Sequence, residues 1–160
     1  MLYILCGAPG SGKSTWIRKN MENLFNNQKN VVVSRDDIRF SLLAENDEYF
    51  SREKEVYNIF VSEIVKNLKL GYNVFADATH INHKSRTKLI NAINSLYQDY
   101  EICFIFFDVC LAVCLKHNAQ RKGRTYVSPQ IIERMFYNIT VPMVTDFPNC
   151  VGVWTVRESV

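Results

Sequence analysis

LYILCGAPGSGKST (residues 2–15) runs from five apolar residues straight into a glycine-rich loop that ends in lysine and two hydroxyl residues. An apolar run of this length followed by Gly7, Gly10 and Gly12 reads as a buried strand that turns sharply into a helix. The segment from Gly7 to Ser14 satisfies G-x-x-x-x-G-K-[ST] in full, in the strand-to-helix setting that motif requires. Glycines at Gly7, Gly10 and Gly12 let the backbone, together with Ser11, turn its N–H groups inward around phosphate oxygens. The helix N-terminus that follows adds partial positive charge. Lys13 reaches the β- and γ-phosphates, Ser14 offers its hydroxyl to Mg²⁺, and Thr15 lies beside it. The stretch predicts binding of ATP or another nucleoside triphosphate with Mg²⁺.

Working outward from that loop, LYILC (2–6), NVVVS (30–34), YNVFAD (72–77), EICFIFFD (101–108) and GVWTV (152–156) read as strands. Their near-continuous apolar character fits strands covered on both faces, as in a parallel sheet. Helices are expected over 13–25, 49–70, 83–98 and 109–120, and from VSPQIIERMFYN (127–138), with Ser128 as cap and Pro129 in the first turn. In the second of these, Phe50, Val56, Tyr57, Phe60, Ile64 and Leu68 recur at helical spacing and predict one apolar face. Strand and helix in alternation predict a doubly wound α/β fold of about five parallel strands flanked by helices, as a single domain over residues 1–160. Ligands of such sheets bind outside the carboxyl ends of the strands.

Composition sets the outer bounds. The chain has 160 residues, 48% of them apolar and 22% charged, with net charge +3. No apolar run reaches the roughly 18 residues of a membrane span, and the N-terminus is read as a first strand rather than a signal peptide. Five cysteines without a C-x-x-C pair suit reduced thiols and a cytoplasmic setting. His80 and His83 have no nearby Cys or His to complete a zinc site. KHNAQRKGR (116–124) carries four Lys or Arg and no acid, and is read as part of a basic lid. No N-K-x-D is present, which disfavours a signalling GTPase, and nothing indicates the large second layer of a motor ATPase.

VVVSRDDIRF (31–40) places charge at the end of the second strand, beside the glycine loop. Ser34 and Asp37 look like a helix opening with carboxylates in the first turn. On such a helix Asp36 and Arg39 share a face, and Arg35 and Arg39 are neighbours. A base beside two guanidiniums suits a phosphoryl acceptor: Asp36 takes the proton of its hydroxyl, and Arg39 holds a phosphate attached to it.

With these stretches in hand, the sequence resembles the phage-type polynucleotide 5′-kinases within the P-loop kinase group. The shared motifs are GAPGSGKSTW, SRDDIR, DATHIN, HNAQR and VSPQIIERMFYN, in order over about residues 3 to 140. The resemblance implies Asp36 as general base, and Arg39, with Arg35 beside it, as the contact to the 3′-phosphate of the nucleotide whose 5′-hydroxyl is phosphorylated. It implies Asp77 and Thr79 as the acid-bearing turn after the third strand, and Arg121 as the lid arginine that steadies the transferring phosphoryl group. Asp77, closing an apolar strand, can also reach Mg²⁺ through water or orient Ser14. The chain departs from the pattern at His80, where asparagine is common. Its lid is about one residue longer, so Arg124 competes with Arg121, which is favoured. Lys84 and Arg86 are read as surface residues. No D-x-D-x-T is present, so phosphatase activity is not expected.

The expected activity is ATP- and Mg²⁺-dependent transfer to the 5′-hydroxyl of a polynucleotide or nucleoside 3′-phosphate. DNA and RNA ends stay equally open, as does oligomeric state. A kinase of a small acceptor (nucleoside, sugar or nucleotide sugar) is the alternative. A slow nucleotide-dependent switch is a third reading, against which the acceptor base Asp36 argues.

Overall fold

A computed structural model of the chain describes residues 1–24 and 29–157. In chain order its elements are β1 (Leu2–Cys6), α1 (Lys13–Leu24), β2 (Asn30–Ser34), α2 (Arg35–Leu42), α3 (Glu53–Lys69), β3 (Asn73–Asp77), α4 (His83–Asn94), β4 (Ile102–Asp108), α5 (Leu111–Ala119), α6 (Pro129–Tyr137) and β5 (Cys150–Arg157). One-turn 3-10 helices stand at Gly123–Thr125 and Val144–Asp146. The strands form one sheet in the order β2-β3-β1-β4-β5, and every pairing is parallel. The doubly wound architecture expected from the alternating pattern is therefore present. The expected helix over 13–25 ends in a residue outside the described ones.

Strand β1 is buried along its whole length, and its side chains divide by parity. Leu2, Ile4 and Cys6 join the core beneath α3 and α4, with Phe60, Ile64, Leu89, Ile90 and Ile93. Tyr3 and Leu5 join Ile17, Phe75, Ile105 and Phe107 beneath α1. Central β1 is also where the chain reverses its direction across the sheet, since β3 lies on one side and β4 on the other. The loops leaving β1, β2 and β3 thus converge on one crevice. No helix among the described residues is long and apolar enough to cross a membrane.

Several helix ends differ from expectation: α4 stops at Asn94 rather than 98, and α5 begins at Leu111 rather than 109. Helix α3 starts at Glu53, so Phe50 belongs to the loop before it and is 65% exposed rather than part of the apolar face. At α6, Ser128 is the cap residue and Pro129 opens the helix as expected, but the serine side chain makes no capping bond.

Candidate active site

The glycine loop wraps the ammonium of Lys13, which donates to the carbonyls of Gly7 (3.0 Å) and Ala8 (2.8 Å) and, at 3.4 Å, to the Ser11 hydroxyl. Burial lowers the Lys13 pKa to about 8, against the pull of the Asp77 carboxylate. Gly10 and Gly12 adopt φ of 82° and 87°, where a side chain is strained. They differ in surroundings. A Cβ on Gly10 would stand 2.3 Å from the Cys114 carbonyl oxygen on α5, whereas one on Gly12 would meet nothing within 4 Å. We therefore expect Gly10→Ala to cost about 2–4 kcal/mol of stability, strain and overlap together, and Gly12→Ala only about 1. Urea denaturation of both variants checks this; equal losses would mean that α5 yields.

Ser14, exposed at the start of α1, donates its hydroxyl to Asp77 Oδ2 at 2.7 Å. Burial raises the Asp77 pKa, opposed by the Ser14 bond and by Lys13. A partly buried carboxylate paired with a hydroxyl at a phosphate-binding loop is a donor set of oxygen alone, which fits a hard divalent cation such as Mg²⁺. Thr15 is exposed beside Ser14.

Across the crevice, Ser34 caps α2 by accepting from the Asp37 amide at 3.2 Å. The Asp36 side chain is 64% exposed. Its Oδ1 accepts from Arg39 and, at 2.9 Å, from the Tyr49 hydroxyl. Among the described residues Oδ2 has no hydrogen-bond partner, and the side chain is open to solvent. Arg39 is only 4% exposed. It donates to Tyr49 (2.9 Å) and, through Nε and Nη2, to Glu53 Oε2 (3.3 and 2.9 Å), and it lies 4.5 Å from the Tyr49 ring centroid. Burial works against its charge, but the Glu53 bond and the surrounding groups raise its pKa. Arg35 pairs with the other oxygen of Glu53 and stands 5.4 Å from the Tyr57 ring centroid. Glu53 and Tyr49 escaped the sequence reading because they lie 14 and 10 residues beyond Arg39, and no local periodicity links them to it.

The turn after β3 carries Asp77, Thr79 and His80. Thr79 joins the site through its backbone, its carbonyl accepting from the Gly7 amide at 2.9 Å. His80 has φ of 38° and is buried, with Nδ1–H donating to the Leu5 carbonyl at 3.0 Å. Burial lowers its pKa from 6.5 to about 4, although the Leu5 bond opposes this. Between those values the unfolded chain binds more protons than the folded one. Stability present above pH 6.5 should thus fall progressively towards pH 4, by up to about 3 kcal/mol. Asparagine tolerates positive φ, so His80→Asn should fold and lose most of that slope in urea titrations at several pH values. An unchanged slope would assign it to other groups.

Arg86 corrects an expectation. It is not a surface residue but 1% exposed. It donates to the Thr140 carbonyl (2.9 Å) and hydroxyl (3.1 Å), lies 3.4 Å from the His80 carbonyl and 3.7 Å from Asp146, and covers the Phe104 ring. A buried guanidinium ties the β3 turn to the segment after α6 because both offer carbonyls with no helical or sheet partner. Lys84 is exposed as expected.

The lid is braced at its root. Asn118, on α5, donates to the Val127 carbonyl (2.6 Å) and accepts from the Val127 amide (3.0 Å), closing the basic segment into a loop. His117 Nδ1–H donates to the Gly10 carbonyl at 2.9 Å. The two lid arginines go separate ways. Arg121 is exposed and close enough to Lys13 for its charge to push the ammonium pKa down. Arg124 instead donates to the carbonyls of Ala44 and Glu45, in the loop after α2.

Comparison with known proteins bears on the family and the fold. A bifunctional protein of Autographa californica nuclear polyhedrosis virus, named for polynucleotide kinase and RNA ligase activities, is 22% identical over 173 residues, covering 94% of this chain. A chain of the Pnkp1/Rnl/Hen1 RNA repair complex superimposes with a TM-score of 0.71 at 26% identity over 86% of this chain. A sugar kinase from Janibacter sp. shares the fold, with a TM-score of 0.60 and 12% identity, covering 98% of this chain and 84% of its own. The present chain spans 23% of the viral protein's length and 43% of the repair-complex chain. The family model described as AAA domain matches residues 2–142. Because that match runs from the first residue of β1 to beyond α6, it takes in the cradle, the Asp36–Arg39 pair and the lid, and the chain belongs to the AAA domain family, with the fold of P-loop kinases.

Proposed function

We propose that the protein transfers the γ-phosphoryl group of ATP, with Mg²⁺, to the 5′-hydroxyl of a polynucleotide or nucleoside 3′-phosphate. The observation that carries this reading is the Asp36 carboxylate, with Oδ1 held by Tyr49 and Arg39 and Oδ2 without a partner, across the crevice from Lys13 and Ser14. In the reaction Asp36 takes the hydroxyl proton as the new O–P bond forms and the bond from the γ-phosphorus to the β–γ bridging oxygen breaks, leaving ADP. Lys13, the loop amides and Arg121 stabilise the charge on the transferring group. Ser14 and Asp77 would hold Mg²⁺, which when bound neutralises charge on the β- and γ-phosphate oxygens. Arg39, oriented by Glu53, grips the acceptor's 3′-phosphate, with Arg35 beside it. The names of the viral protein and of the RNA repair complex support a nucleic acid acceptor.

One observation favours a second reading, a kinase of a small acceptor. Every nitrogen of Arg39 is already engaged by Asp36, Tyr49 or Glu53, and an acceptor without a phosphate would not have to share them. The sugar kinase shows that the fold hosts such chemistry elsewhere. The test is an assay with γ-labelled ATP on a 5′-hydroxyl oligonucleotide, a nucleoside 3′-monophosphate and a bare nucleoside. Label on the first two alone is expected. Label on the bare nucleoside, or on none of the three with ATP still bound, would move the assignment to a small-molecule kinase. Polynucleotide binding should also weaken with a log–log salt slope of about −0.7 per phosphate contact, whereas a small acceptor gives a shallow one.

A further inference from the structure

Beside Asp36 the loop between α2 and α3 displays an apolar ring to solvent. Phe50 is 65% exposed, yet it is not a loose surface residue. Its ring meets Tyr49 edge to face (centroids 4.7 Å, interplanar angle 85°), and its centroid lies 5.6 Å from the Arg39 guanidinium carbon. Tyr49 is held in turn by Phe40 (centroids 6.1 Å) and by its hydrogen bond to Asp36. The loop itself is braced. Ala44 donates to the Asp47 carboxylate (2.8 Å), Ser51 Oγ donates to the Glu48 carbonyl (2.8 Å), and Arg52 reaches back to the Leu42 carbonyl (2.7 Å). The backbone amide of Glu53 donates to the Phe50 carbonyl at 3.2 Å, fixing the ring at the entry to α3.

A rigid loop that holds a large apolar ring in water, rather than turning it into the α3 core, suits a flat ligand that completes the contact. The position narrows the ligand. Phe50 touches the arginine that touches Asp36, so a ligand group on its free side would lie beside the Asp36–Arg39 pair. A phosphate or a free hydroxyl gains nothing from an apolar face, whereas a heterocyclic base stacks on one whatever its hydrogen-bonding edge. We propose that Phe50, backed by Tyr49, is the platform for the base of the acceptor's terminal nucleotide, and that it makes the site select base-bearing nucleotide ends over base-less acceptors. The proposal rests on the kinase reading above and adds the recognition of the base to it.

Kinetics of wild type, Phe50→Ala and Phe50→Trp would be measured with a nucleoside 3′-monophosphate and with the same sugar 3-phosphate lacking its base. Phe50→Ala should raise KM for the base-bearing acceptor by about 5- to 150-fold, the range of one lost aromatic stack. Its kcat should stay within about twofold, KM for the base-less acceptor should not move, and Phe50→Trp should restore the wild-type KM. Equal shifts for both acceptors, or none, would overturn the platform while leaving the kinase reading standing. Transfer by wild type to neither acceptor would overturn the reading as a kinase of nucleic acid ends. Calorimetric binding of the same two acceptors then tests the platform by itself. A loss of affinity in Phe50→Ala confined to the base-bearing acceptor supports it, and equal affinities sink it.

Discussion

Arg121→Ala is expected to lower the rate of phosphoryl transfer by about 10³- to 10⁵-fold, the range a catalytic-site arginine contributes to charge stabilisation in this chemistry. Arg121 follows the end of α5 and is exposed, and its charge already acts on Lys13, the residue proposed to meet the same phosphates. Two cations converging where negative charge develops cost the free protein something, and only the transferring phosphoryl group offsets their repulsion. ATP affinity should therefore change far less than kcat. Arg124→Ala is the control, because Arg124 binds the backbone at Ala44 and Glu45. It should loosen the lid and raise KM with a smaller loss of kcat. Single-turnover transfer from γ-labelled ATP, with ATP binding measured separately, distinguishes the two. The reverse order of effects would give Arg124 the catalytic part.

Asp36→Asn should reduce kcat by about 10²- to 10⁴-fold, the usual contribution of a positioned base. The amide oxygen can still accept from Tyr49 and Arg39, so the local geometry should survive while the proton acceptor is lost. Arg39 keeps Glu53 as its charge partner, which limits the structural cost of the change. Unaltered ATP binding with collapsed transfer would separate a kinase from a nucleotide switch, because a switch needs no acceptor base. Activity near wild type would strip Asp36 of the role and leave its bonds with Tyr49 and Arg39 as an anchor for α2.

Some of this was legible before any coordinates because the physics is local. The cradle from Gly7 to Ser14 is specified by which residues tolerate positive φ and which carry a cation or a hydroxyl, and it stands at the end of β1 as read. Five apolar runs separated by helix-length segments leave little choice but a parallel sheet with covered faces. Ser34 as the cap of α2 follows from three residues of sequence.

Tertiary structure decided everything that depends on residues far apart in the chain. Glu53 and Tyr49 reach Arg39 because α3 packs against α2. The later start of α3 leaves Phe50 outside the core, exposed beside Tyr49 and Arg39. Arg86, four residues into a helix of mixed polarity, is drawn inside because Thr140 presents a carbonyl and a hydroxyl there. The two lid arginines, three residues apart, part company because one lies toward the glycine loop and the other reaches the Ala44 and Glu45 carbonyls after α2. A sequence states which backbone conformations and charges are available at each position, and packing alone determines which of those charges meet.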